Sequence, residues 1–335
     1  MKRNATIKDI AEELGISATA VSRALRNMPD ISGETREKVI AAAERLNYSK
    51  NYAASSLRTN STNIIGLIID ILNPICIGMY KGVEDVCREN GYTILFSTSN
   101  EGRADERAAI ETMYSRQVDG MILCPTLENR DNIDRMKELD IPFVLVGRTF
   151  PGDGIPSVVS SDFEGGYMIA QHLINRGKRR FLVMTALGYR GFCSALDRCL
   201  GFAKCLADNG FPEDCMEISE CIPSRHHAYT AAAERFGRPF DFDAVFAFND
   251  NMASGIIKAL NDLRIAIPQK VAVVGYDNTE SGEFTFPSLS TVDLLAYRQG
   301  REGMRLLLRL MKKENVPKEE LNQVFHPELV IRQST

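Results

Sequence analysis

With 335 residues, of which 44% are hydrophobic and 25% charged, the chain is long enough for two or three domains and has the composition of a soluble globular protein. No apolar run reaches the roughly 18 residues that span a bilayer, so membrane-spanning classes are excluded. The net charge of −4 is unevenly divided, because residues 1–60 carry ten Lys/Arg against seven Asp/Glu and the remainder carries an acidic excess. A basic head on an acidic body fits contact with phosphates at one end.

The first element is a short amphipathic helix over residues 6–14. Its apolar residues have the spacing that places them on one helical face: Ile7, Ile10, Ala11 and Leu14. Thr6 is placed to cap the first turn, and Asp9 lies near the positive end of the helix. Gly15-Ile16 then predicts a tight turn, and Ser17 predicts the cap of a second helix from about Ala18 to Leu25.

Two short helices joined by such a turn make a helix-turn-helix unit, whose second helix enters the major groove of DNA. The residues at its N-terminal end are small or polar and end in a cation, which suits donation to guanine edges: Ser17, Ala18, Thr19, Ser22 and Arg23. Small amphipathic helix pairs are common, so this pattern alone leaves DNA binding and a purely structural role about equally supported.

A third helix capped by Ser32 is predicted to complete the head. Its inward residues are predicted to be Val39, Ile40, Ala43 and Leu46. The following segment, residues 48–58, is too short to hold a helix alone in water, because isolated helices below about 12–15 residues are marginal.

From Asn63 onward, buried apolar runs alternate with helical patterns, which predicts parallel, doubly wound sheets. The predicted strands are Ile64–Ile69, Tyr92–Phe96, Gly120–Cys124, Phe143–Val146, Phe181–Met184, Ala244–Phe248 and Val271–Val274. A helix is predicted over Ile75–Glu89. Because this length is too great for one such sheet, we expect two α/β subdomains with a ligand cleft beyond the carboxyl ends of their strands.

Polar residues that follow these strands, or that open the next helix, are the candidate ligand-binding residues. They are Asn73, Arg148, Arg198, Asn249 and Asp277. Side chains that offer both donors and acceptors suit a polyhydroxylated ligand such as a sugar or a nucleoside. Asp250 is predicted instead to cap the helix that follows it. For Arg198 and Asp277 the alternative is an ion pair between the subdomains.

Enzyme chemistry and metal binding are not indicated. The sequence has no phosphate-binding P-loop, no G-x-S-x-G nucleophile elbow and no H-E-x-x-H helix. None of the eight cysteines forms a C-x-x-C pair, and the four histidines lack metal-ligand spacing. We therefore expect buried, free thiols, solvated His226 and His227, no cofactor and a reducing cytoplasmic location.

The whole chain resembles the LacI/GalR family of bacterial transcription repressors. The resemblance rests on Ile7-x-Asp9-Ile10-Ala11, Gly15-Ile16-Ser17, Val21-Ser22-Arg23-Ala24-Leu25, Thr35-Arg36-Glu37-Lys38-Val39, Leu46-Asn47-Tyr48, the segment Asn51-x-x-Ala54-x-x-Leu57 and the closing Ile331–Thr335. Ala20, Arg26 and Lys50 depart from the family pattern, which leaves the operator sequence open.

The resemblance implies a helix-turn-helix domain (1–47), a hinge helix and linker (48–60), and a body like a periplasmic binding protein. The body would comprise one subdomain of 61–162 plus about 294–323 and another of 163–293 plus about 324–335. It also implies that hinge helices from two subunits pair in the minor groove, where Leu57 would wedge between base pairs. Without the resemblance, Leu57 would be expected to pack on the head or the body.

The implied DNA-binding residues are Thr6, Ser17, Ala18, Thr19, Ser22, Arg23, Asn51, Ala54 and Leu57. The family motifs also match Arg198, Asn249 and Asp277 as effector contacts, with Arg148 matched less specifically. We expect a homodimer on near-palindromic operator DNA, because protein symmetry imposes site symmetry. The dimer surface is predicted to include Ile77, Tyr80 and Val83.

The predicted function is that of a ligand-responsive repressor of genes for the use of a sugar or another small metabolite, with a sugar or sugar derivative as effector. Two alternatives stay open: an activator or corepressor-type regulator, for example with a nucleobase effector, and a sugar-binding protein that does not bind DNA. Cleft closure does not fix whether the ligand releases DNA or recruits it.

Overall fold

Three short helices form the head in the computed structural model: α1 (Ile7–Leu14), α2 (Ala18–Leu25) and α3 (Gly33–Arg45). The hydroxyl groups of Thr6, Ser17 and Ser32 each accept a hydrogen bond from the backbone N–H three residues later. At α1 the cap is reciprocal, because the Asp9 carboxylate accepts from the Thr6 backbone N–H at 2.6 Å. All three predicted caps are confirmed.

The structure describes residues 5–48, 61–70, 73–99, 103–125, 130–150, 154–191 and 193–335. The chain divides into two compact units, 1–62 and 63–335. The predicted hinge residues Asn51, Ala54 and Leu57 lie outside the described residues, so their predicted role stays a prediction.

The head has its own small apolar core around Ile10, Val21 and Val39. The prediction that Ile40 faces inward is wrong, because its side chain is 44% exposed. The buried face of α3 is centred on Val39, Ala42 and Ala43. Since successive residues of a helix are rotated by about 100°, Ile40 falls beyond the edge of that face.

The body alternates strands and helices. Its described strands are β1 (Ile64–Ile68), β2 (Thr93–Ser97), β3 (Gly120–Leu123), β4 (Phe143–Val146), β5 (Ser157–Ser160), β6 (Phe181–Ala186), β7 (Met216–Cys221), β8 (Ala244–Ala247), β9 (Ala272–Val274), β10 (Thr291–Asp293), β11 (Asn322–Phe325) and β12 (Glu328–Val330). Its described helices are α4 (Ile75–Glu89), α5 (Arg103–Ser115), α6 (Arg130–Glu138), α7 (Asp162–Asn175), α8 (Cys193–Asp208), α9 (Arg225–Phe236), α10 (Asp250–Asp262), α11 (Glu280–Glu283), α12 (Ala296–Met311) and α13 (Lys318–Leu321), with short 3₁₀ turns at Tyr189–Gly191 and Glu213–Cys215.

These strands form two parallel sheets, as the alternating pattern predicts. Within the described residues, the first sheet has the order β11-β5-β4-β3-β1-β2 and the second has the order β7-β6-β8-β9. In the first sheet, Ile65 of β1 lies opposite Ile94 on one side and Gly120 on the other. A small antiparallel pair, β10 with β12, accompanies them.

The chain passes between the two sheet layers at three described places, which lie side by side. They follow β5, β10 and β11, and the last comes after Phe325 rather than at about residue 323. Ser160 of the first crossing pairs in register with Phe325 of the third. The Ser160 hydroxyl also donates to the carbonyl of Leu294 in the second, and the buried Gln299 amide donates to that same carbonyl at 2.6 Å.

Helix α4 lies against α12, and two glycines allow the close approach. A Cβ at Gly82 or at Gly300 would lie 2.1 Å from a backbone carbonyl oxygen of the opposite helix. Val83 is fully buried in this packing, whereas Ile77 and Tyr80 are exposed. The prediction that Val83 belongs to a dimer surface is therefore wrong, because the core of the body already covers it.

Candidate functional site

The N-terminal end of α2 presents the polar surface that the sequence predicts for base reading. Ser17 and Thr19 are exposed, and Ala18, Ser22 and Arg23 are partly exposed. Thr6 is partly buried, and its hydroxyl is engaged with Asp9 in the cap of α1. Most of the predicted head residues thus share one accessible region, while Thr6 fixes the helix that precedes the turn.

Arg23 is held by an acidic neighbour. Its Nε donates to Asp30 at 2.8 Å, and its Nη2 lies 2.7 Å from the same carboxylate. This hydrogen bond lowers the pKa of Asp30 below its usual value. Both side chains remain well exposed, so another anion can compete with Asp30 for the guanidinium.

In the body, the five predicted ligand-binding residues line a single cavity of about 570 Å³. Asn73 precedes α4, Arg148 follows β4, Asn249 precedes α10 and Asp277 lies beyond β9, while Arg198 comes from the second turn of α8. The cavity thus lies where the carboxyl ends of both sheets meet, as expected for open α/β sheets. Its volume is in the range of small-molecule sites, roughly 300–1,000 Å³.

Arg198 is the centre of the buried charges in this cleft. Its Nε donates to Asp162 at 2.7 Å, and its Nη1 donates to the Phe248 carbonyl at 2.6 Å. The guanidinium carbon lies 3.7 Å from the centre of the Tyr276 ring. Burial alone would lower the pKa of Arg198, but Asp162 and its other acidic neighbours outweigh burial and keep this pKa above the usual value.

The electrostatic surroundings of Asp277 differ from those of Arg198, because Arg198 makes its close contact with Asp162 and not with Asp277. Nη2 of Arg198 is 3.8 Å from Asp277, beyond hydrogen-bonding distance. Burial therefore prevails and raises the pKa of Asp277 to about 8. Its backbone φ of +105° lies in a region that non-glycine residues rarely adopt. A carboxyl group that is protonated near neutral pH can donate a hydrogen bond to a ligand as well as accept one.

The prediction that Asp250 caps α10 is wrong, because Asn249 performs that role. Asn249 has the extended backbone of a cap residue, and its side-chain oxygen accepts from the Met252 N–H at 2.9 Å. Asp250 is the first helical residue, and its buried carboxylate accepts from Thr279 and Thr291 instead. Burial raises the pKa of Asp250 to about 6. Asp250 thereby anchors the loop that carries Asp277.

Asn73 and Arg148 also have structural partners. The Asn73 side-chain oxygen accepts from the Ile75 N–H at 3.4 Å, and Arg148 Nη1 donates to the Pro125 carbonyl at 3.0 Å. Pro125 and Arg148 also line a smaller adjoining cavity of about 260 Å³. Partly exposed amide and guanidinium groups remain at the cleft wall.

Several cleft residues were not predicted from the sequence. They include Asp70, Cys76, Cys124, Ser224, Arg225, Phe248 and Asn251. Asp70 and Cys124 follow β1 and β3 closely, so the strand-end rule could have found them. Ser224 and Arg225 follow β7. The sequence of β7 is charged and partly exposed, so it lacks the apolar run from which a buried strand is predicted.

Metal-ligand clusters and membrane spans are not found in the described parts of the chain. No group of three or more His, Cys, Asp or Glu residues in these parts is placed to hold a metal ion. None of the helices described is both long and apolar enough to cross a bilayer. His226 and His227 are exposed, as predicted, and His227 Nδ1 lies 2.7 Å from the Ser224 hydroxyl.

A helix-turn-helix head joined to a two-sheet body with an interlayer cleft defines a ligand-binding class of transcription regulator. Family models agree: "Bacterial regulatory proteins, lacI family" matches residues 6–51, and "Periplasmic binding protein-like domain" matches residues 170–335. Two relatives, each named HTH-type transcriptional repressor PurR, cover 98% of this chain and are themselves covered to 98%. The one from Vibrio vulnificus is 32% identical and the one from Actinobacillus pleuropneumoniae serotype 3 is 29% identical.

Solved structures show the same fold. The lac repressor dimer bound to operator and the anti-inducer ONPF has a TM-score of 0.87 at 24% identity, with 99% of each chain covered. The CelR–cellobiose complex has a TM-score of 0.74 at 25% identity, covering 99% of this chain and 100% of that one. A LacI regulator from Alkaliphilus metalliredigens with D-xylulofuranose has 0.69 at 25%, covering 82% and 99%.

The chain belongs to the LacI family of bacterial transcription regulators, and it is a DNA-binding transcriptional repressor. The family assignment predicted from the head and body motifs is confirmed, and the alternative of a sugar-binding protein without DNA binding is set aside. The relatives named here are transcription regulators, not enzymes.

Proposed function

We propose that this repressor binds near-palindromic operator DNA as a homodimer in the cytoplasm, and that a small polar ligand in the body cleft sets its affinity for that DNA. The cleft carries the proposal. Arg148 and Asn73 reach it from the first sheet layer, while Arg198, Asn249 and Asp277 reach it from the second. A ligand that contacts both layers favours one arrangement of the layers over another, which is the condition for shifting a conformational equilibrium.

The proposed ligand is a sugar or a sugar derivative, and no enzymatic turnover is expected. Arg198 and Arg148 supply donors, while Asn249 and Asp277 can both donate and accept, which matches the hydroxyl groups of a sugar. Phe248 adds an aromatic side chain to the cavity wall. Two relatives of the same fold, at 25% identity, hold cellobiose and D-xylulofuranose. A nucleobase effector is the second candidate, because Phe248 and Asn249 also suit a planar heterocycle.

The head is proposed to read DNA through Ser17, Ala18, Thr19, Ser22 and Arg23, with Thr6 at the start of α1. By family resemblance, Asn51, Ala54 and Leu57 would extend the contact into the minor groove as a paired hinge. Whether the ligand loosens or tightens DNA binding follows from the layer arrangement that it prefers.

The test selects DNA from a random pool with the full-length chain and measures binding of the recovered sites with and without candidate ligands. We expect near-palindromic sites, a steep loss of affinity with rising salt, and a shift in affinity with a sugar. Thermal shift identifies the ligand, since a ligand at 100 times its Kd stabilises the folded state by roughly 2.7 kcal/mol. Recovery of asymmetric sites would contradict the homodimer, and a response to nucleobases alone would contradict the sugar.

A further inference from the structure

The smaller cavity beside the cleft, here called the side pocket, lies between the two sheet layers. It has a volume of about 260 Å³ and shares with the larger cavity the wall formed by Pro125, Gly147, Arg148 and Ser194. The first layer lines it with the segment that follows β4, up to Phe150, and the second layer with the N-terminal turns of α7 and α8. Because drug-sized sites begin at roughly 300 Å³, the side pocket suits a small ligand.

Asp197 brings an uncompensated negative charge to the side pocket. Its side chain is partly buried and lines the pocket. Within the described residues, its carboxylate has no hydrogen bond and no ion pair. Asp162 also lines the pocket, but its charge is balanced by Arg198, whose Nε donates to it at 2.7 Å. A partly buried carboxylate without a partner is stabilised by a cationic group of a ligand.

Arg148 brings the opposite charge, and it is uncompensated as well. Its Nη1 donates to the Pro125 carbonyl at 3.0 Å, which is a neutral partner. Among the described residues, no carboxylate forms an ion pair with this guanidinium, which stays partly exposed at the pocket wall. A guanidinium of this kind can bind a carboxylate group with two parallel hydrogen bonds. The side pocket thus presents one free charge of each sign.

The rest of the pocket wall is apolar and open to solvent. Phe163 is 40% exposed and Val324 is 59% exposed, and Phe150 is partly exposed. All three line the side pocket. Phe163 is held in place by close helix packing, since a Cβ at Gly201 would lie 1.9 Å from its carbonyl oxygen. Large apolar side chains exposed around a concave site are characteristic of ligand binding, because a ligand removes their surface from water.

We propose that the side pocket binds an α-amino acid with an apolar side chain. Asp197 receives the ammonium group, Arg148 receives the carboxylate, and Phe150, Phe163 and Val324 cover the apolar side chain. A zwitterion balances both free charges at once, whereas an amine or a carboxylic acid alone leaves one of them uncompensated. An α-amino acid also carries its two charged groups and its apolar group on a single carbon, which fits three kinds of wall around one small pocket.

A sugar would not satisfy the side pocket, because its hydroxyl groups leave both charges uncompensated. The consequence for regulation rests on the proposed function, but the site itself requires neither effector nor DNA. The amino acid would contact Arg148 and Phe150 of the first layer and Phe163 and Asp197 of the second, and Arg148 also lines the effector cleft. Occupation of the side pocket would therefore change the affinity for the effector through Arg148, and the effector would change the affinity for the amino acid by the same factor.

The experiment measures thermal unfolding of the full-length chain with each standard amino acid at millimolar concentration, and then the affinity by isothermal titration calorimetry. We expect stabilisation by amino acids with apolar side chains and none by aspartate or lysine. The amino acid that stabilises most is then compared with compounds that lack one of its charged groups. For leucine these are isoamylamine, which lacks the carboxylate, and isocaproate, which lacks the ammonium group, and neither should bind comparably.

Asp197→Asn should weaken amino-acid binding by about 10- to 150-fold, the value of a hydrogen bond to a charged group. Asp208→Asn is the matched control, because Asp208 ends the same helix and is paired with Lys204, and it should leave the affinity unchanged. If circular dichroism shows that Asp197→Asn does not fold, Asp197→Ala takes its place.

Three outcomes would overturn the proposal: no amino acid stabilises the chain, isoamylamine or isocaproate binds as tightly as leucine, or the Asp197 variant keeps the full affinity. Binding is measured without DNA and without a sugar. Failure here is therefore distinguishable from failure of the DNA or effector proposals.

Discussion

The head and the cleft each contain an arginine beside aspartate, in opposite surroundings. In the head, the Arg23 and Asp30 side chains are 40% and 48% exposed. In the cleft, Arg198 and Asp277 are each 7% exposed and Asp162 is 13% exposed. The bonded distances are the same, at 2.7 Å for Arg23–Asp30 and for Arg198–Asp162. Distance therefore does not distinguish the two pairs, whereas access of water does.

The comparison indicates two different roles for the same chemistry. An exposed pair is screened by water and salt, so one partner can be exchanged for another at little cost. A buried pair cannot lose one member without leaving an uncompensated charge in a poorly solvated place. On the proposed function, the exposed pair leaves the Arg23 cation available for DNA, while the buried charges of the cleft stay in fixed positions around the proposed ligand.

The largest predicted effect is loss of the buried cation. Arg198→Met should lower the free energy of unfolding of the body by about 3–5 kcal/mol, because Asp162 loses its partner in a buried place. Urea unfolding of the full-length chain measures this change. Arg180→Met removes an exposed cation bonded to Asp241 and is the matched control, for which little change is expected. Equal effects in the two variants would remove the distinction between buried and exposed pairs.

A second prediction concerns the pH dependence that Asp277 creates. With a pKa of about 8 in the folded chain and about 3.9 when unfolded, Asp277 keeps its proton in the folded state while the unfolded chain releases it. The folded state therefore holds more protons in this window, and stability falls as pH rises through it. Between pH 6 and pH 8 the loss should be about 2 kcal/mol.

Asp277→Asn should remove this fall in the free energy of unfolding, as measured by urea unfolding at pH 6, 7 and 8. Asp250→Asn is the control. Because Asp250 has a pKa of about 6, its contribution to the pH dependence of stability should lie mostly below pH 6. A slope that persists in Asp277→Asn would assign the pH dependence to another group.

The smallest predicted effect is that of Asp30→Asn in the head. Asp30→Asn should tighten operator binding by less than about fivefold, since exposed pairs are weak. The gain should shrink at high salt and vanish in an Arg23→Ala background.

Arg23→Ala alone should reduce the ratio of specific to non-specific affinity by about 5- to 150-fold, the value of a good base contact. Fluorescence anisotropy with operator and scrambled DNA measures both, and weaker binding by Asp30→Asn would show that Asp30 orients Arg23 rather than competing for it.

The parts of the fold that local pattern determines were predictable from the sequence. The caps at Thr6, Ser17 and Ser32 and the bounds of α2 and α4 depend on nearby residues, and all of them agree with the structure. Strands buried on both faces, such as β1 and β3, also appear as apolar runs. Five strands were missed, namely β5, β7, β10, β11 and β12, because each is short or polar and is stabilised by distant partners.

The candidate site was predictable only as far as strand ends allow. That rule placed Asn73, Arg148, Asn249 and Asp277 around one cavity, together with Arg198 from a family motif. It could not assign the carboxylates, because the near partner of Arg198 is Asp162, which precedes it by 36 residues. The exchange of roles between Asn249 and Asp250 depends on a backbone angle.

The three chain crossings restrict how the body can move. The crossings lie side by side and are hydrogen-bonded to one another through Ser160 and Gln299, so they form a single hinge. Rotation of one sheet layer relative to the other about this hinge is the motion that displaces the crossings least. The angle between the two layers is then the main conformational variable of the body. On the proposed function, a ligand that contacts both layers needs to supply only enough energy to favour one value of the angle between them.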